Sequence, residues 1–193
     1  MNLPRPSQDA HFLNLWMEDQ PFTHDTLNDS PWYVAKNSYQ TVLDDKSGYD
    51  HILLSEDSLT FVGIQWGGWY FTYNTIPFGW KISHYVYHST GLMATAFFRS
   101  IGVPCLLYID DRHNGQPQVP LDKEEYSLVK TNDARDNAAV SSAIFLVAFH
   151  LVHLGYFLGL LKSILTPSKI VLYLGFLADS SREVFHLIPG KKS

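Results

Sequence analysis

Two pairs of adjacent carboxylates close short apolar runs: Asp44-Asp45 follows Tyr39–Leu43, and Asp110-Asp111 follows Val103–Ile109. Adjacent acids repel, and burying them at a sheet edge is costly without a cation. A divalent metal removes that cost. Hard oxygen donors suit Mg²⁺, which takes one or two carboxylates together with substrate phosphates. If the two strand ends lay side by side, Asp44 and Asp110 would share a face. That is the arrangement in which two metals about 3.5–4 Å apart grip an in-line phosphoryl transfer. The same residues also suit plain Asp-Asp turns, and spacing alone does not choose between the two.

Other reactive side chains offer less. His84 and His88 lie four apart on a helix, a possible zinc pair, but no Cys, Glu or His follows at ligand spacing, so packing or surface roles are favoured. His150 and His153 sit in an apolar helix and read as core histidines, and Ser163 and Ser168 lack any nucleophile context. Trp66, Trp69, Tyr70 and Tyr73 could stack on bases, although an aromatic hairpin more simply packs a core. Cys105 is the single cysteine, which excludes an internal disulfide framework and a Cys-rich zinc module.

The elements that must hold these residues follow from local pattern. Residues 1–36 look irregular, with five acids and four prolines. Ser55–Leu59 reads as a short capped helix. Thr60–Trp66 and Trp69–Thr75 flank Gly67-Gly68, a hairpin signal. A helix is expected over Ser83–Ser100, stopped by Gly102, followed by the buried strand Val103–Ile109 and the turn at Asp110-Asp111. Glu124–Arg135 is charged and undefined. Asn137–Leu154 reads as an apolar helix, and Tyr156–Leu161 as a buried strand. Ile170–Leu177 and Val184–Ile188 flank Asp179–Arg182 as a last hairpin. This order predicts an α+β fold, an antiparallel sheet with helices on one face.

Composition bounds the answer without deciding it. The 193 residues suit about one domain. Charged residues make up only 17%, against a disordered tail or coiled coil. The net charge of −5 argues against bulk nucleic-acid affinity, but residues 1–60 carry −7 and residues 61–193 carry +2, so local fields decide. The N-terminus shows no signal peptide, which suggests an intracellular (cytoplasmic or nuclear) location. Ala138–Leu161 runs 24 residues without a formal charge, long enough to span a bilayer, although Gly155 and Gly159 interrupt it. A buried helix is the preferred reading and a small membrane-associated protein the rival.

Taken together, the motifs resemble the reverse transcriptase domain of a retrotransposon, of the tyrosine-recombinase or long-terminal-repeat kind. Tyr108-Ile109-Asp110-Asp111 matches the Tyr-x-Asp-Asp motif, and Leu43-Asp44 with Lys46-Ser47-Gly48-Tyr49 is similar to the first aspartate motif. Ile76-Pro77-Phe78-Gly79 resembles the Leu-Pro-Phe-Gly that opens the motif B helix. Gly155, Lys162-Ser163 and Pro167 resemble motif D, and Leu174-Gly175-Phe176 the primer grip. Arg5, Asp9, Leu13 and Asn14 resemble a fingers motif that begins with a phosphate-binding arginine. These matches run in the family's order along nearly the whole chain.

The resemblance implies a ferredoxin-like palm over 37–193, with a fingers hairpin at about 60–76 and a primer grip at about 170–188. Residues 1–36 would form partial fingers, the whole being effectively one domain without a thumb. It implies an RNA-directed DNA polymerase, a nucleotidyltransferase that extends a primer on an RNA or DNA template. Asp44 and Asp110 would be the main ligands of two Mg²⁺ (Mn²⁺ is possible), with Asp111 in support. Lys162 would donate a proton to pyrophosphate, Arg5 would grip the triphosphate, and Tyr49 would exclude a 2′-hydroxyl. Phe78 and Gly79 would lie near nucleotide and template. The implied partners are a template-primer duplex, deoxynucleoside triphosphates, and the thumb and RNase H regions of a longer polyprotein, with no membrane. Asp45, Asp50, His11 and Trp80–His84 depart from the usual pattern, and 122–135 is a polar insertion. The alternative is an inactive remnant that keeps the palm fold.

Overall fold

The computed structural model describes residues 9–117 and 133–188. Arg5 and residues 122–132 of the polar insertion lie outside these. The central sheet is antiparallel and has four strands in the order β4 (Cys105–Tyr108), β5 (Asp111–Asn114), β1 (Gln40–Asp44), β6 (Ile164–Ser168). Tyr39–Leu43 and Val103–Ile109 are therefore not direct neighbours. β5, the return arm of the Asp110 turn, lies between them and pairs with both.

Strand alternation sorts the two faces of this sheet. Leu43 and Cys105 join one apolar cluster with α3 (Ser83–Ser100) and α4 (Asp133–His153), through Tyr87, Ala94, Phe98, Ala143, Ile144, Val147 and Leu151. Val42 and Tyr108 point the other way and pack with Val171, Tyr173 and Ala178. With both faces covered, every residue of β1 is buried. The helices thus share one face, as the sequence predicts. The opposite face carries a three-stranded meander of β7 (Ile170–Tyr173), β8 (Phe176–Asp179) and β9 (Val184–Leu187). Ile170–Leu177, expected as one strand, is split by a turn at Leu174-Gly175, both with positive φ.

α3 ends as expected: Gly102 has φ +83°, and the Val103 N–H reaches back to the Phe98 carbonyl at 3.0 Å. The helix expected at Asn137–Leu154 starts four residues earlier and stops at His153, with Gly155 at φ +91°. It is the one described helix long and apolar enough to cross a membrane, yet Val140, Ile144, Val147 and Leu151 form a buried stripe against the sheet. The strand expected at Tyr156–Leu161 is absent. That segment is irregular, and the strand falls instead at Ile164–Ser168.

Outside the central sheet, β2 (Gly63–Trp66) and β3 (Trp69–Thr72) form the expected hairpin around Gly67-Gly68. The short helix α2 (Glu56–Leu59) precedes it. The irregular first segment contains α1 (His11–Leu15) and a 3₁₀ turn at Leu27–Trp32. Asn14 ties α1 to the loop before α3, donating to the Gly79 carbonyl at 2.9 Å and accepting from the Lys81 N–H at 2.8 Å.

Candidate active site

β4 and β5 meet in a two-residue turn, Ile109-Asp110, with Tyr108 opposite Asp111 and Ile109 at φ +54°. Asp111 also stands opposite Asp44 on β1. The Asp45 N–H extends this ladder by donating to the Asp110 carbonyl at 2.9 Å. All three predicted aspartates therefore gather at one end of the central sheet.

Their electrostatics follow from that crowding. Burial raises the Asp110 carboxyl above its ordinary range, and the charges of Asp44 and Asp45 add to the shift. Asp111 is pushed up to about 6 by burial, by Asp110 and by Asp44. Lys162 offsets part of this and bonds Asp44 Oδ1 at 3.0 Å. As the side chains stand, no three His, Cys, Asp or Glu groups among the described residues enclose a metal site. The donor set nevertheless fits Mg²⁺ in kind, with three hard oxygen donors at one edge and a repulsion that a cation would relieve.

Asp44 is held by two groups to which sequence reasoning gave no such role. Its N–H donates to Ser163 Oγ at 3.0 Å, and its carbonyl accepts from the Gly159 N–H at 2.7 Å. A Cβ at Gly159 would lie 2.2 Å from Asp44 Oδ2. The irregular course of 156–163 is what delivers these contacts and Lys162. Lys162 and Ser163 were visible only through the motif D resemblance, and Gly159 only as a glycine inside an apolar run.

Beside Asp110 lies a cleft of about 150 Å³, lined by Ser47, Gly48, Tyr49, Phe78, His84 and Tyr87. Tyr49 is buried, with its ring 4.6 Å from that of Phe78 and 5.6 Å from that of Tyr87. Burial and Asp110 raise its hydroxyl to about 12. Gly48 admits the Tyr87 ring, since a Cβ there would lie 2.5 Å from Tyr87 Cζ. Gly79 follows Phe78 at the rim, with φ +93°. On the far side of Tyr108, Leu174 and Phe176 line an open cleft with Thr26, Leu27 and Asn28, and Gly175 makes their turn.

The remaining candidates separate. His88 is buried beside Phe22 and His24, whereas His84 is exposed at the cleft. His150 and His153 are not core residues. His153 is exposed on α4, while His150 is half-buried with its ring 5.2 Å from that of Phe97 and 6.3 Å from that of Phe98; they bond the carbonyls of Phe149 and Leu146, each at 2.8 Å. Core packing also fails for the aromatic hairpin. Trp66, Trp69 and Tyr70 are 80%, 72% and 80% exposed, because no element among the described residues covers this two-stranded sheet. Asp45, a departure from the usual pattern, is fully buried with Arg112.

No protein-family description and no curated protein matches the chain. Solved structures do. A foamy viral protease-reverse transcriptase in complex with double-stranded DNA has a TM-score of 0.69 at 16% identity, over 97% of this chain and 30% of that one. The foamy viral protease-reverse transcriptase with an RNA/DNA hybrid gives 0.65 at 16% identity, over 94% of this chain and 21% of that one. The native prototype foamy virus enzyme gives 0.60 at 18% identity. The fold is thus that of a reverse-transcriptase-like domain, and the chain spans 30% or less of these proteins' lengths.

Proposed function

We propose that this chain is the fingers and palm portion of a retroelement reverse transcriptase, catalysing template-directed nucleotidyl transfer. The observation that carries the reading is the pairing of Asp44 with Asp111 across β1 and β5, with Asp110 in the adjoining turn beside the Tyr49–Phe78 cleft. The reverse-transcriptase-like fold supports it independently, and the nucleic acids bound by the foamy viral proteins support a template-primer partner.

In this reading Asp44, Asp110 and Asp111 hold two Mg²⁺. The bound metals would supply activation of a primer 3′-hydroxyl and charge stabilisation on the triphosphate. The chain's own residues do the rest. Tyr49, packed between Phe78 and Tyr87, offers a rigid wall against a 2′-hydroxyl in the 150 Å³ cleft. Lys162, 3.0 Å from Asp44, would give a proton to the departing pyrophosphate. Leu174, Gly175 and Phe176, across Tyr108 from the acids, would support the primer end. Arg5 remains the proposed triphosphate ligand.

The alternative, a remnant that keeps the fold without the activity, draws support from the Lys162–Asp44 ion pair and from the lack of a preformed three-ligand set among the described residues. A Mn²⁺ titration followed by electron paramagnetic resonance separates the two. The polymerase reading expects binding that Asp110→Asn and Asp111→Asn each weaken about 10-fold or more. Binding that ignores both substitutions supports the remnant.

A further inference from the structure

Each acidic motif carries one member of a second, buried pair. Asp45 follows Asp44, and Arg112 follows Asp111. Alternation along β1 and β5 turns Asp45 and Arg112 away from the carboxylate cluster and into the helix face, where Arg112 stands opposite Leu43. There Arg112 Nη1 meets Asp45 Oδ2 at 2.5 Å, both side chains fully buried. The Tyr87 hydroxyl of α3 donates to the same oxygen at 2.6 Å, and the Tyr156 ring lies 5.1 Å from the guanidinium carbon. The backbone of Asp45 is held as well, by the Asp110 carbonyl and by a bridge to Leu158. One residue therefore joins β1, the Asp110 turn, α3 and the segment that supplies Gly159 and Lys162.

A buried ion pair is a poor way to gain stability. Desolvating both charges offsets most of their attraction, and apolar replacements of similar volume are often as stable. What such a pair provides is a single permitted arrangement. A one-residue slip of β1 against β5 would turn Asp44 into the helix core and leave Arg112 without its partner. We propose that Asp45 and Arg112 are positioning residues: their pair fixes the register of β1 on β5 and so sets the spacing of Asp44, Asp110 and Asp111. This rests on the polymerase reading of those three carboxylates.

The test is the double variant Asp45→Leu/Arg112→Met in the full 193-residue chain, which keeps the branching at position 45 and the side-chain length near that of the native pair and removes both charges. The expected result is a cooperatively folded protein with a melting temperature near wild type. The amides at positions 45 and 159 exchange about 10-fold faster, while that of Val147 in α4 is unchanged. Mn²⁺ affinity falls about 10-fold. Unchanged exchange at both amides with unchanged Mn²⁺ affinity overturns the proposal. Tyr87→Phe, which removes one hydroxyl and leaves the ion pair, is the second variant. It should speed exchange at position 45 more than at Val147, and equal effects count against the proposal. Asp110→Asn keeps the two claims apart: if it leaves Mn²⁺ binding untouched, the polymerase reading fails, while amide exchange still decides whether the pair holds the strand ends.

Discussion

The Asp44 carboxylate occupies the space that a side chain at position 159 would need, with only 2.2 Å between Asp44 Oδ2 and a Cβ built on Gly159. The backbone there is not in the left-handed region, so conformation is no reason for glycine. The carboxylate is. Gly159→Ala should displace Asp44 and cost about 1–3 kcal/mol by overpacking. It should also weaken Mn²⁺ binding as strongly as a substitution of Asp44 itself. Urea denaturation and a metal titration check the two effects separately, and an alanine variant that binds Mn²⁺ like wild type would show that Asp44 is free to turn elsewhere.

Acid and base groups in the same sheet pull stability in opposite directions. His113 is fully buried, with Gln40 Oε1 at 2.7 Å and the Tyr173 ring at 4.7 Å, and burial lowers it to about 4. Between that value and its ordinary 6.5 the unfolded chain binds the extra proton, so stability rises with pH. Asp111 lies at about 6 against an ordinary 3.8, so across that window the native chain binds the extra proton and stability falls as pH rises. His88, lowered by burial, acts with His113, and Asp110 acts with Asp111. Wild type should therefore show little net slope between about pH 4.5 and 6. Asp111→Asn should tilt the curve upward with pH. Chemical denaturation across this range reads the slope, and a flat Asp111→Asn profile contradicts the assignment.

The α4 helix supplies a test of its packing. Leu151 is fully buried against the sheet, whereas Phe145 is 71% exposed. Leu151→Ala should cost about 2–5 kcal/mol, and Phe145→Ala less than about 0.5 kcal/mol. A helix that used its outer face in a membrane would reverse that order, with Phe145→Ala reducing association with lipid vesicles.

What was legible in the sequence was local. Gly67-Gly68 between aromatic runs announces β2 and β3, Gly102 stops α3, and the strand–Asp-Asp pattern marks the turn between β4 and β5. What was not legible depends on distant partners. β5 inserts between β1 and β4, and no local pattern shows which strand lies beside which. The apolar run at 156–161 has the composition of a strand. It is bent instead by the contacts of Leu158 with Asp45 and of Gly159 with Asp44, which leave Leu160 and Leu161 exposed. The carboxylates were recognisable as a set because the motifs carry them. Arg112, the partner that lets Asp45 be buried, lies 67 residues from it, and nothing in either motif shows that the two meet.

Tyr49 should govern sugar choice. Its ring is fixed by Phe78 at 4.6 Å, so it cannot swing aside for a 2′-hydroxyl. Tyr49→Val should raise the use of a ribonucleoside triphosphate relative to its deoxy counterpart by about 10-fold or more. Competition between the two in single-nucleotide addition gives the ratio, and an unchanged ratio would remove Tyr49 from that role.

The most direct measurement is addition of one nucleotide to a DNA primer annealed to RNA, with Mg²⁺ or Mn²⁺ present, by the wild-type chain and by Asp110→Asn at high protein concentration. The account predicts slow addition of the nucleotide complementary to the template, falling about 10²-fold or more in Asp110→Asn. Addition that ignores the template, or that survives Asp110→Asn, would contradict it.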